Sequence, residues 1–347
     1  MKIEQEQILR NFLSGYRGPA LSFMEVCGTH TEKIAAYGIR DLLSPDIHLL
    51  TGPGCPVCVT VSAYIDRLIE LAFAADTTVV TFGDLLRVPG SSYSLAEAKA
   101  RGASVEFVYG PRDLLPKARQ NPDHLFVFAA VGFETTIPIY VALLEELSVE
   151  RIENVKLLTA LKTMPAAIDW VLANSDRLDG LLAPGNVSVI TGSNYFEKLA
   201  EKWQKPFVIG GFSATELILA LSCLLASTGQ GVVKNMYPSV VTASGNRAAQ
   251  TGIRACFESG PAAWRGFGLI AESGLYLSTK WQKYDAGSRH LLEDIAYNSA
   301  CSCGAVLTGQ LSPEACPLFG SSCRPDCPQG ACMISGEGAC FNYWRNR

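Results

Sequence analysis

Between Leu21 and Ala226 short apolar runs take turns with amphipathic stretches, and no other feature of this 347-residue chain restricts its fold so strongly. The runs Leu21–Val26, Thr78–Phe82, Ser104–Val108, Leu125–Ala130, Lys156–Leu161, Leu178–Ala183 and Phe207–Ile209 have the length of strands. Between Cys58 and Thr78, the residues Ile65, Leu68, Ile69, Ala72 and Phe73 fall on one face of an amphipathic helix. Further helices are predicted near Ser94–Arg101, Asp113–Gln120, Pro138–Leu147 and Ala166–Ala173. Ser213-Ala-Thr-Glu216 reads as a capping box that opens the apolar helix Leu217–Ala226, because hydroxyl and carboxylate each satisfy a free backbone N–H. Strand and helix in strict alternation predict an α/β fold with a largely parallel sheet.

After Gly229 the chain becomes richer in glycine and aromatic residues, and from Cys301 it is dense in Cys, Pro and Gly with no periodicity. Such a segment is organised more readily by a metal than by an apolar core. Seven of the chain's twelve cysteines lie between Cys301 and Cys340. A disulfide scaffold is not needed, since a chain of this length with 48% hydrophobic residues buries an ample core. The start is polar and charged, without the apolar stretch of a signal peptide, and the longest apolar runs fall short of the ~20 residues of a membrane span. The expectation is a soluble, cytoplasmic protein with reduced thiols and no membrane association. A net charge of −4 and the lack of any Lys/Arg-rich run argue against nucleic acid. The length suggests two or three domains.

Two short motifs concentrate chemistry near the N-terminus. Cys55-Pro-Val-Cys58 has the spacing to close a disulfide or to chelate a metal. Gly52, Pro53, Gly54 and Pro56 predict a fixed, exposed loop, and the helix that follows is expected to lower the thiol pKa. Cys27-Gly-Thr-His30-Thr puts a thiol, two hydroxyls and an imidazole within five residues at the end of a strand. Thiolate and imidazole are both good ligands for iron or zinc, and His30 suits a general acid/base or a donor to a ligated group. In the tail, four thiolates would suit a [4Fe–4S] cluster, with a structural zinc site as the alternative. Cys223 and Cys256 read as core residues, and His48, His124 and His290 as ordinary histidines. Glycine-containing turns recur after strands, at Gly52, Gly83, Gly132, Gly185 and Gly210, and could converge on one cleft at the carboxyl ends of a parallel sheet. No P-loop, dinucleotide-binding or nucleophile-elbow motif occurs.

Taken together these motifs resemble the HypD family of hydrogenase maturation proteins. The matching blocks are Met24-Glu-Val-Cys-Gly-Thr-His-Thr31, Gly52-Pro-Gly-Cys-Pro-Val-Cys58, Phe82-Gly-Asp-Leu-Leu-Arg-Val-Pro-Gly-Ser91, Val131-Gly-Phe-Glu-Thr-Thr136, Pro184-Gly-Asn-Val-Ser188 and Gly330-Ala-Cys-Met-Ile-Ser-Gly-Glu-Gly-Ala-Cys340. The tail reads Ser-Gly-Glu-Gly where Ser-Ser-Glu-Gly is more usual. The resemblance implies Rossmann-like α/β domains around a central cleft: residues 1–59 with 151–228, residues 60–150, and a C-terminal domain 229–347 whose tail, 301–340, binds a [4Fe–4S] cluster. It implies a scaffold for the Fe(CN)2CO unit of [NiFe]-hydrogenases, working with the chaperone HypC and with HypE as cyanide donor. By position, Cys27 would bind the nascent mononuclear Fe(II) beside His30, and Cys55 and Cys58 would be a redox pair, Cys58 also serving as an iron ligand. Cys303, Cys316, Cys323 and Cys340 would hold the cluster, with Cys301, Cys327 and Cys332 close enough in sequence to substitute. Thr29, Asp84, Arg87, Glu134 and Glu337 match supporting loop positions. A cluster-dependent thiol–disulfide oxidoreductase acting on a partner protein is the rival reading.

Overall fold

A computed structural model describes residues 3–295 and 298–347 of the chain. Eleven strands occur among the described residues: β1 Leu21–Glu25, β2 Ile47–Thr51, β3 Thr77–Thr81, β4 Val105–Phe107, β5 Leu125–Gly132, β6 Val155–Lys162, β7 Gly180–Ala183, β8 Phe207–Ile209, β9 Val233–Asn235, β10 Phe257–Trp264 and β11 Gly268–Leu277. They form two sheets, ordered β2-β1-β7-β8-β9 and β10-β11-β6-β5-β3-β4. The first is parallel throughout. The second is parallel from β6 to β4, but β11 runs antiparallel to both β6 and β10. The expectation of a largely parallel sheet therefore holds for the alternating region, and the β10–β11 hairpin adds a mixed edge. That hairpin was not legible because its strands carry Ser, Gly, Pro and Glu among their apolar residues, which blurs the alternation of a half-buried strand.

Each sheet is covered by helices whose apolar stripes the sequence had marked. Ala214–Ala226, capped as expected by Ser213 and Glu216, buries Leu217, Ile218, Leu221 and Leu224 against the first sheet. Each fully buried side chain of that size contributes about 1.5–3 kcal/mol relative to exposure. Ser62–Ala72 buries Tyr64, Ile65, Leu68 and Ile69 on one face of the second sheet, and Ile137–Glu150 covers the other. The Cys-rich tail has only short helical pieces, at Cys303–Leu307 and Ala339–Arg345 and in two 3-10 turns. It packs into the same apolar cluster as Cys55, Cys58, Val59 and Trp264. Among the described residues no helix is long and apolar enough to cross a membrane.

Candidate metal and thiol centre

The strand order decides which loops meet. β2, β1, β7 and β8 are neighbours and parallel, so the segments leaving their carboxyl ends emerge side by side. Those segments carry Gly52–Cys58, Cys27–Thr31, Gly185–Ser188 and Gly210–Gly211. Three of the glycine turns predicted to converge thus do so on the first sheet. The Gly83 turn and Thr136, from the second sheet, line a cavity with Pro56, Val57, Ser335 and Glu337.

Cys27 is the N-cap of the helix Gly28–Ala36 and is buried. The backbone N–H of Gly28 donates to Gly54 O at 2.9 Å, which fastens the loop of Cys27 to that of Cys55 and Cys58. Beneath it lies Glu25, fully buried. Its carboxylate accepts from the Cys27 N–H at 3.1 Å and from the Thr31 hydroxyl at 2.5 Å. Burial pushes the Glu25 carboxyl up to about 7, against the pull of these hydrogen bonds and of Arg40, whose Nη2 donates to Thr51. Burial likewise pushes the Cys27 thiol up to about 12, with the backbone N–H groups of His30 and Thr29 opposing and the carboxyls of Glu25 and Glu337 adding to it. Glu337 sits over Gly28, where a Cβ would lie 2.4 Å from the Glu337 side chain. It accepts from the Thr29 hydroxyl at 3.2 Å, and Asn186 Nδ2 donates to the same hydroxyl at 3.3 Å.

His30 is fully buried, with Nε2 donating to the carbonyls of Gly211 at 3.1 Å and Gly210 at 3.3 Å and its ring against Phe212. Nδ1 is buried without a partner. Burial holds the imidazole down to about 4, so it is neutral at physiological pH. The unfolded chain takes up a proton at this residue below its ordinary pKa of 6.5, and the folded chain does not until about 4, so stability is lost as pH falls between those values. The loss should reach about 3 kcal/mol by pH 4. Glu25, raised to about 7, acts in the opposite sense over an overlapping range, because the folded chain keeps its proton where the unfolded chain has lost it. Denaturant unfolding of wild type and His30→Gln between pH 7 and 4 separates the two: Gln keeps the donor, and the variant should gain on wild type as the pH falls.

Cys55 and Cys58 are 3% and 0% exposed. The expected exposed loop is instead covered by the tail, which the sequence could not foresee because the tail comes from more than 240 residues further along the chain. The predicted lowering of the thiol pKa fails for the same reason. The helix starts at Ser62, four residues beyond Cys58, and burial holds the Cys58 thiol well above its ordinary value. Cys58 N donates to Cys55 Sγ at 3.2 Å, and the Cys58 thiol meets Ala331 O at 3.9 Å and the thiol of Cys332. Cys332 in turn has its sulfur 2.7 Å from that of Cys303.

Cys301, Cys303, Cys316, Cys323, Cys332 and Cys340 all line one apolar cavity with Val306, Phe319 and Met333. Cys327 is exposed and does not line it. Among the described residues no three Cys, His, Asp or Glu side chains close on a single metal ion. Four thiolates around a cluster each take a different iron, so a ring of sulfurs about a shared cavity is the arrangement relevant to that donor set. Cys256 is buried in the core and Cys223 half-buried at its edge.

The supporting positions divide. Glu337 and Thr29 lie beside Cys27, and Asp84 lines the neighbouring cavity. Arg87 donates to the carbonyl of Pro325, a local tie to the tail. Glu134 is buried between the sheets' connections, accepting from Met164 N at 2.9 Å and Tyr195 Oη at 2.8 Å. Glu25 escaped the sequence reading, although a carboxylate closing an apolar strand is a signal that finds it.

The family model described as "HypD: Hydrogenase formation hypA family" matches residues 6–347. The chain is 40% identical over 335 residues to the hydrogenase maturation factor HypD of Rhodobacter capsulatus, covering 93% of this chain and 88% of the relative. It is 37% identical over 333 residues to HypD of Escherichia coli K12, covering 94% and 89%. It is 39% identical over 344 residues to HypD of Azotobacter vinelandii, covering 93% and 89%.

Proposed function

The chain belongs to the HypD family of hydrogenase formation proteins, and from that premise we propose that it is the scaffold on which, with HypC, the Fe(CN)2CO unit of a [NiFe]-hydrogenase is assembled, cyanide arriving from HypE. One observation carries the reading: the Cys27 loop, the Cys55–Cys58 loop and the Cys-rich tail meet at the carboxyl ends of one parallel sheet.

Iron is the cargo. Cys27 stays protonated in its buried setting until a cation takes the proton's place, and soft thiolate suits iron bearing strong-field ligands. Glu25 holds the Cys27 backbone and His30 ties the following helix to the β8 loop. Neither needs to change its hydrogen bonds for the sulfur to pass from proton to metal. Cys58 is the second candidate iron ligand.

For the resident [4Fe–4S] group, the six-thiol cavity supplies a fitting donor set. Cys316, Cys323 and Cys340 are three of the four ligands expected from sequence. The fourth, Cys303, lines the same cavity, with Cys301 and Cys332 beside it as the nearest substitutes. When bound, the cluster supplies single electrons. Cys332, whose thiol meets that of Cys58, joins this cavity to the Cys55–Cys58 pair, where reduction of a disulfide to two thiols would take up two electrons and two protons. A thiol–disulfide oxidoreductase acting on a partner's disulfide is less well supported, because Cys55 and Cys58 are 3% and 0% exposed.

Anaerobic co-purification with HypC, in cells making the cyanide donor, should give a brown complex with infrared bands of metal-bound cyanide and carbon monoxide. A brown complex without those bands would overturn the scaffold assignment.

A further inference from the structure

The strand order of the second sheet opens a crevice that the iron and thiol chemistry does not use. After β3 the chain crosses to β4 on one side, and after β5 it crosses to β6 on the other, so the two loops part at the carboxyl ends of neighbouring strands. In doubly wound sheets that is where ligands bind. A cavity of about 460 Å³ fills the gap, walled by Val57, Phe82, Leu85, Val108 and Val131. Its size suits an organic group of many atoms, far beyond a single water.

Charge limits what the cavity accepts. Asp84 and Glu337 line it, and no Lys, Arg or His does. Burial raises the Glu337 carboxyl, the charges of Asp84 and Glu32 add to this, and only the Thr29 hydroxyl opposes it, so no cation of the chain offsets the pair. Phosphate and carboxylate groups are therefore repelled. The mouth limits it further. Tyr109 lines the cavity yet is 92% exposed, and Phe107, 53% exposed, stands edge-on to it with ring centroids 5.9 Å apart. Phe107 ends β4, the edge strand of the sheet, and Tyr109 follows it. A small molecule inside the cavity would leave these two aromatic side chains in water, whereas a protein partner buries them.

We propose that this crevice docks an extended segment of a partner protein, with an arginine or lysine side chain entering the cavity and apolar neighbours covering Phe107 and Tyr109. The alkyl stem runs along the apolar wall, and the cationic head meets Asp84, Glu337 and the face of Tyr109. Glu337 also accepts from Thr29, and Pro56 and Val57, which lie between Cys55 and Cys58, line the same cavity. A segment held here therefore lies against both cysteine loops.

Fluorescence polarisation of the full chain with two labelled, end-capped peptides tests this. One places an arginine between leucines, and its twin carries citrulline, which keeps the shape and removes the charge. The arginine peptide should bind about tenfold more tightly. Asp84→Asn, at an exposed position, should reduce that preference to about threefold or less, and Tyr109→Ala should weaken both peptides. Equal affinity for the two peptides, no binding of either at millimolar concentration, or an unchanged preference in Asp84→Asn overturns the site. Free agmatine binding as tightly as the arginine peptide makes the cavity a small-amine pocket and overturns the partner segment. The measurement needs neither iron nor cluster, so its failure leaves the scaffold assignment standing.

Discussion

Cys27→Ala is expected to abolish the mononuclear iron while leaving the fold and the brown chromophore of the tail intact. The sulfur makes no capping hydrogen bond, so alanine preserves the helix start, and Glu25 still accepts the backbone N–H at this position. The loss of iron should exceed 100-fold, since removing even an outer-shell partner of a metal typically costs about 10–100-fold. Mössbauer spectra of the anaerobic protein count cluster iron and mononuclear iron separately. Persistence of the second signal, or of cyanide bands, in the variant would remove Cys27 from the iron site. Cys223→Ala, half-buried at the edge of another part of the core, is the matching control and should change neither signal.

Gly54→Ala should be strongly destabilising and should open the site. A Cβ at this position would lie 2.5 Å from Cys27 N and 2.6 Å from both Cys27 C and Gly28 N. All three are backbone atoms, so no rotamer change relieves the clash. The hydrogen bond from Gly28 N to Gly54 O must break and the two cysteine loops must part. A cost of about 3 kcal/mol follows, at the upper end for overpacking a close-packed site. Denaturant unfolding should show it, together with faster alkylation of Cys27 as its loop lifts. Gly336→Ala is the contrast, because nothing lies within 4 Å of the Cβ it would add. Its stability should stay within about 0.5 kcal/mol of wild type.

Much of the fold was legible because its signals are local. A capping box needs four consecutive residues, and the Ser213–Glu216 box forms as expected. An amphipathic stripe needs about three turns, and Ile65 to Ala72 supplied one, although Phe73, read as its last member, caps the helix and is exposed. The strands of the alternating region were found within a residue or two because a buried parallel strand is apolar along its whole length. β2 was missed where His48 interrupts a short apolar run, and the β10–β11 hairpin where polar residues sit on its exposed face. Cys27, Cys55 and Cys58 were legible as chemistry for the same local reason, since each lies in a spacing with a mechanism behind it.

Burial was not legible, and burial sets the properties of the site. The loop of Cys55 and Cys58 has the glycines and prolines of an exposed turn, and it is the tail that covers it. The balance between the helix start and desolvation at Cys58, the neutral state of His30 and the raised carboxyl of Glu25 all follow from what packs above them. Which tail thiols share one cavity also waited for the structure, because the spacing of seven cysteines does not say that Cys327 stays outside it.

The sequence by itself determined that this is an alternating α/β chain with two separate sets of cysteines, because periodicity and motif spacing are properties of neighbours along the chain. Only the tertiary structure decided that the two sets touch, through Cys58 and Cys332, and which groups around them are kept from water. The order of strands across a sheet and the desolvation of a side chain both depend on residues hundreds of positions away, and no local pattern carries them.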